Sequence, residues 1–397
     1  MKTKLTRFVA VLVILLLAVT HAGCWSRIET NNLAIVTAIA LDKTSDGQIR
    51  FAVEIVRPAV ISGGDVAEGG SSDTSNTNEQ PVLQIGSTGE TPYDAWRNLQ
   101  LQMGRMMFFA HTQEVIFGER LAREGVKPYL DFTERRFRLR RNVGFSITPG
   151  EAKEVLVATP LIEPSIGLAL VTFSDNYVRQ SKALFSNFAS FYSNLYNEFT
   201  HPTASKISLH VLDPETGHSH VKFAGAAVFK EDRLVGWLNE KETRGLNRIL
   251  GHMGRGTVIP VLDRDDDKKI SIVTARSRTE IKALIRDGQP VIKIRVNEEG
   301  EIADMEPPVD ITSPEFMDRL NIGYGEAIKE EVNAAVLAAQ QIHGVDILEF
   351  GKAVRRQENS YWKKNKLQEN WGEFFPDLQV ELIVDAKIRR VGVSLYP

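Results

Sequence analysis

A single cysteine, Cys24, occurs in the 397 residues, so the chain closes no disulfide upon itself and its fold rests on its own core. No GxGxxG, P-loop, HExxH or GxSxG pattern is found, which removes support for the common dinucleotide, nucleotide, zinc-peptidase and α/β-hydrolase classes. A strong charge of one sign is also missing: the formal net charge is −3, which gives no basis for a nucleic-acid partner. What is present is the balance of a globular protein, 43% hydrophobic and 25% charged, long enough for two or three domains.

The lone cysteine is explained by what precedes it. Lys2, Lys4 and Arg7 form a positive start, and the apolar run 8–19 is too short to span a bilayer comfortably as a helix. The run ends in His21-Ala22-Gly23-Cys24, small residues directly before a cysteine, which resembles the lipobox of bacterial lipoproteins. His21 departs from that pattern, where an aliphatic residue is usual. An ordinary secretory signal or a retained anchor helix are the alternatives. Cleavage would remove residues 1–23 and leave Cys24 first, with an S-diacylglycerol on its thiol and an N-acyl chain. At about 0.8 kcal/mol per buried CH2, two chains anchor far better than one. The leader carries three positive charges and no negative ones, so its loss takes the net charge from −3 to −6.

Along the mature chain, β-branched runs at 33–41 and 48–56 flank a turn-rich connector and predict a hairpin. Residues 62–80 are almost all Gly, Ser, Asp, Asn, Thr and Glu and predict a mobile loop. Thr91-Pro92 predicts a capped helix carrying Trp96, Leu99, Met103 and Met106. A strand at 111–117, two short helices within 119–134 and a strand at 142–147 follow. Residues 165–199 read as helical, with Leu184, Phe188, Phe191, Leu195 and Phe199 as a core stripe. Strands then dominate at 207–212, 221–229 and 234–238, and those at 258–262, 270–283 and 290–296 continue the sheet. Asn239 and Glu242 have capping-box spacing, as do Asp346 and Glu349. Ser313-Pro314 opens a long helix, 314–343, with Met317, Leu320, Tyr324, Ile328, Val332, Ala335, Ala339 and Ile342 on one face, ended by Gly344; a last strand spans 378–388. The class expected is α+β, multidomain, with mixed sheets and packed helices. The expected limits are a leader at 1–23, an N-terminal unit at 24–200 with a subdivision near 150, and a C-terminal unit at 201–397.

Short patterns of possible chemistry fare poorly. Ser360 to Lys363 gives S-x-x-K and Ser174-Asp175-Asn176 gives S-D-N, in reversed order relative to penicillin-binding enzymes and without K-T-G. Asp263, Asp265, Asp266 and Asp267 lack the glycine and distal glutamate of a calcium loop and read as a solvated hairpin tip. His218 and His220 read as exposed loop residues, since two histidines make a poor zinc site. Arg135, Arg136, Arg138, Arg140 and Arg141 form the densest basic cluster; an amphipathic turn or edge strand whose arginines pair with nearby acids is favoured over a bilayer-facing patch. Tyr361, Trp362, Trp371, Phe374 and Phe375 read as core. No catalytic, cofactor or metal residues are assigned, and an enzyme is not expected.

Several separated stretches carry a resemblance. Cys24-Trp25-Ser26-Arg27-Ile28-Glu29 and then 33–40 open the mature chain; 225–229, 234–238 and Glu242-Thr243-Arg244-Gly245 lie in the middle. Near the end come 346–356, Tyr361-Trp362, Phe375-Pro376 and Arg389-Arg390-Val391-Gly392. In order and spacing they resemble the Ger(x)C family, the lipoprotein C subunits of spore nutrient germinant receptors. The resemblance implies a non-catalytic, lipid-anchored subunit on the outer face of the spore inner membrane, with integral A and B subunits as partners. The reading from another class is a solute-binding lipoprotein that delivers a small ligand to a transporter, which requires a cleft with convergent polar groups.

Overall fold

The computed structural model describes residues 32–57, 81–177, 181–213, 218–254, 258–263, 268–305 and 313–391, together with positions 6, 8 and 10. Strands β1 (Leu33–Lys43) and β2 (Ile49–Val56) pair antiparallel with Ala40 opposite Ala52, the hairpin that their β-branched runs predict. Gly47 closes the turn at φ 87°, a left-handed conformation that favours glycine. Strand β3 (Val82–Gly89) pairs on the outside of β2, and the Thr91 hydroxyl caps α1 (Pro92–Gln100) by accepting the Asp94 N–H.

The chain continues through β4 (Met106–Phe108), β5 (Glu114–Gly118), α2 (Glu119–Glu124), α3 (Lys127–Phe137), β6 (Gly144–Thr148), α4 (Ala152–Val157), α5 (Ile166–Tyr177) and α6 (Phe188–Leu195). Strands β7 (Thr203–Asp213), β8 (His218–Lys230) and β9 (Arg233–Leu238) complete a nine-stranded sheet in the order β3-β2-β1-β5-β6-β7-β8-β9, with β4 pairing against β1. Its β1–β5, β5–β6 and β6–β7 pairings are parallel. Because Ser146 of β6 pairs with Ser205 of β7, the sheet runs on past residue 200. One face buries Trp96 and Leu99 of α1, Leu121 of α2, Leu130 and Phe137 of α3 and Phe191 of α6; the other buries Val155 and Leu156 of α4 and Ile166 and Leu170 of α5.

The helical stripe expected over 165–199 is broken. Ala183 bridges to Gly225, and α6 begins only after Asn187, whose side chain and Ser190 form a reciprocal cap. Phe188 and Phe191 therefore join the first core, whereas Leu184 and Phe199 join a separate one.

That separate core belongs to a second sheet. Helix α7 (Glu240–Ile249) starts at the reciprocal cap of Asn239 and Glu242 that the sequence predicts. Strands β10 (Val258–Asp263), β11 (Lys268–Arg286), β12 (Gln289–Met305) and β13 (Gln379–Val391) then form four strands in the order β10-β11-β12-β13. They do not continue the first sheet as expected from the sequence, because α7 turns the chain away after β9, which is an edge. Helix α8 (Pro314–Leu337), capped by Ser313, packs Phe316, Leu320, Tyr324, Ile328, Val332 and Ala335 inward. It passes into a π-helical turn, Ala338–His343, and stops at Gly344 with φ 63°. The wider turn rotates the helical face, so Ile342, expected inside, is 62% exposed, while the Gln340 amide donates inward to the carbonyls of Phe375 and Leu378.

Helices α9 (Phe350–Gln357), α10 (Asn359–Lys364) and α11 (Leu367–Phe374) bring Trp362 and Trp371 into the same core, and Phe375 of the following turn joins them, as expected. The architecture is α+β, two mixed sheets with packed helices.

Candidate functional site

The residues singled out by sequence fall in different places. Cys24, the expected leader apart from positions 6, 8 and 10, the loop expected at 62–80 and Asp265 to Asp267 lie outside the described residues. Ser174 spends its hydroxyl on the Val171 carbonyl within α5, while Ser360 sits on α10, beside the second core. Among the described residues no contact joins the two patterns. His218 and His220 belong to strand β8 rather than a loop, and His220 faces His210 across the strands with ring centroids 5.2 Å apart. The β7–β8 pairing recruited this stretch into the sheet. Among the described residues no three His, Cys, Asp or Glu side chains are grouped to hold a metal ion, and no helix is long and apolar enough to cross a membrane.

The Glu242 to Gly245 stretch builds a buried ionic assembly. Glu242 caps α7, Gly245 permits close approach to α8, since a Cβ there would meet the Glu331 carbonyl, and Arg244 reaches the Glu331 carboxylate at 2.6 Å. One turn on, Arg248 has no exposed surface; it grips Glu298 of β12 through two bonds of 2.9 and 3.2 Å and donates to Glu331 as well. Glu298 also accepts from Thr274, Ser277 and the Tyr324 hydroxyl, each at 2.9 Å. Burial would lower the Arg248 pKa, yet the two carboxylates hold it above its ordinary value; burial would raise Glu298, yet Arg248 and its hydrogen-bond donors hold it below. Two arginines face two glutamates, so the charge is matched. Closed to solvent, the assembly binds α7, α8 and the second sheet into one piece.

A second assembly stitches the two halves. Asp346 does not form the expected box with Glu349, which sits in left-handed backbone without a side-chain cap bond. Its own buried carboxyl accepts from the N–H groups of Leu348, Phe350 and Gly351 and from the Trp371 indole. Burial pushes it up to about 6 despite these donors. The Asp346 carbonyl accepts the His201 N–H at 2.8 Å and the Thr200 hydroxyl at 3.0 Å, and the Arg355 guanidinium lies 4.1 Å from the Phe199 ring centre. The segment entering β7 is thereby held by the C-terminal helices.

The first sheet carries its own buried acids. Glu54 accepts from Thr37 and from the first N–H groups of α5. Glu114 has one hydrogen-bond donor, the Ser146 hydroxyl, and burial pushes its carboxyl up to about 8. On the surface, a cavity of 380 Å³ opens between Glu134, the Arg140-Arg141 turn and the Phe188, Tyr192 and Tyr196 side of α6. The basic cluster is thus divided: Arg135 pairs with Asp131 and Arg136 lies 4.1 Å from the Trp96 ring centre, as a paired amphipathic segment would. Arg140 and Arg141 line this cavity, and among the described residues Arg135 alone of the cluster makes the expected ion pair with an acid.

Sequence reasoning missed these assemblies because isolated acids and arginines read as surface. One signal was available for Glu298: it continues the inward alternation of Ile292, Ile294 and Val296.

Comparisons with known proteins agree over most of the chain. A family model described as spore germination protein N-terminal domain matches residues 26–209, and one described as spore germination B3/GerAC like, C-terminal, matches 224–392. Spore germination protein KC of Bacillus subtilis (strain 168) is 24% identical, over 96% of this chain and 95% of its own. Spore germination protein B3 of the same organism is 24% identical, over 93% and 94%. A solved structure titled Crystal Structure of the GerBC protein superposes with a TM-score of 0.54 at 22% identity, covering 88% of this chain and 96% of that one, a likeness of fold.

Proposed function

This chain belongs to the Ger(x)C family of spore germination proteins, and from that premise we propose that it is a lipid-anchored, non-catalytic subunit of a nutrient germinant receptor. The observation that carries the reading is one of order: the N-terminal family match opens at residue 26, two residues after the sole cysteine, the C-terminal match follows from 224, and the cysteine directly follows a leader-like segment. A diacylglycerol on Cys24 holds the chain at the outer face of the spore inner membrane. Its partners are the integral A and B subunits.

Action is by contact. A subunit that touches membrane partners shifts their conformations only as far as its contact energy differs between the states. A rigid body suits that role: the matched charges around Arg248 hold α7 and α8 to the second sheet, and the Asp346 junction ties the segment entering β7 to the C-terminal helices.

Two results test the reading. Deleting the gene in a strain without paralogues is expected to abolish germination with at least one nutrient, and the protein should cross-link to two integral subunits in gently solubilised spore membranes. Normal germination with every nutrient contradicts it. Neighbouring genes for an ATP-driven importer would favour solute delivery instead.

A further inference from the structure

The cavity beside α6 has the features of a ligand site. Its volume of 380 Å³ falls in the range of small-molecule pockets and is ample for a ligand of about a dozen heavy atoms. Its walls carry three kinds of chemistry. The Arg140 and Arg141 guanidinium groups line it, and among the described residues neither makes an ion pair or side-chain hydrogen bond. The Phe188 and Tyr192 rings supply an apolar wall, with Tyr196 parallel to Tyr192 at 6.1 Å between centroids. Glu134 adds one carboxylate. The Tyr192 hydroxyl sits beside the Glu134 carboxylate, and burial together with that negative charge holds its pKa above the ordinary value, so the hydroxyl stays a neutral donor at the cavity wall.

These groups select among ligands. Two unpaired guanidiniums attract a carboxylate, which they can grip through several N–H groups at once. A bare anion, however, would also meet the Glu134 charge. A ligand that carries an ammonium as well satisfies both signs, and its remaining body can lie on the rings, where a cation is also favoured. We propose that this cavity binds a small zwitterion with a flat apolar body, its carboxylate on Arg140 and Arg141, its ammonium toward Glu134, and its body against Phe188 and Tyr192. The site goes beyond the receptor-subunit reading and does not depend on lipidation.

Titration calorimetry on the full mature chain tests it, with phenylalanine as the zwitterion, 3-phenylpropionate as the carboxylate without the amine, and phenethylamine as the amine without the carboxylate. Phenylalanine is expected to bind saturably and at least 10-fold more tightly than either fragment. Arg140→Gln with Arg141→Gln should weaken phenylalanine by 10-fold or more. Glu134→Gln should weaken phenylalanine yet strengthen 3-phenylpropionate, an opposite pair of shifts that a loss of folding cannot produce. Absence of saturable phenylalanine binding, equal affinity for the fragments, or unchanged affinity in the arginine variant overturns the proposal.

Discussion

Arg248 sits at the residue scale as a charge with no water to answer it, so its stability rests wholly on Glu298 and Glu331. Removing one partner of a buried pair leaves an uncompensated charge, which costs about 3–5 kcal/mol. Glu298→Gln should therefore lower the stability by about that much in urea unfolding, and a loss below about 1 kcal/mol would show that the pair is not as buried as described. Glu114 makes a pH prediction. Its carboxyl is raised from 4.5 to about 8, so between those values the folded chain holds a proton that the unfolded chain releases. The stabilisation is fully present below 4.5 and is lost as the pH rises through about 8. Glu114→Gln should flatten that decline, leaving the variant more stable relative to the parent at pH about 9 than at pH about 5 in paired urea titrations. Glu114 is not marked in the sequence as a core acid, and Glu298 is marked only by the inward alternation that it continues. Burial of charge depends on partners far along the chain, here 50 residues away for Arg248 and Glu298 and 32 for Glu114 and Ser146.

Elements were legible where their ends are chemically marked. Thr91-Pro92, Asn239 with Glu242, and Ser313-Pro314 each begin a helix where the sequence places one, because a cap is a local bond between near neighbours. The hairpin of β1 and β2 was equally plain. The break before α6 was hidden because Leu184, Phe188 and Phe191 keep helical spacing across a segment that the Gly225 bridge draws out straight. The division into two sheets was hidden as well, since strand alternation says which face is buried and not which sheet a strand joins. The crossing of α7 with α8 gives the test at this scale. A methyl at Gly245 meets the Glu331 carbonyl, so Gly245→Ala should force the helices apart and cost about 1–3 kcal/mol, read as a fall in Tm. An unchanged or raised Tm would mean that the helices do not cross so closely.

The whole molecule is two sheets joined through the segment around Thr200 and His201, with a membrane tether at one end in the proposed account. From Cys24 to Asn32 the extended chain reaches at most about 28 Å, so a lipid on that cysteine keeps the first sheet beside the bilayer. Here the sequence was most informative about function. The leader-like start and the ordered family-like stretches pointed to a spore germination protein, whereas the buried assemblies and the α6 cavity needed three-dimensional placement. The same placement leaves the lipid as the hinge of the account, because a subunit that works by touching integral partners must be held beside them. The most direct test is intact mass analysis of the amino-terminal peptide from protein isolated out of spore membranes. A peptide starting at Cys24 with a diacylglyceryl thioether is the expected result, and a peptide with a free Cys24 thiol, or one that retains residues 1–23, would contradict it.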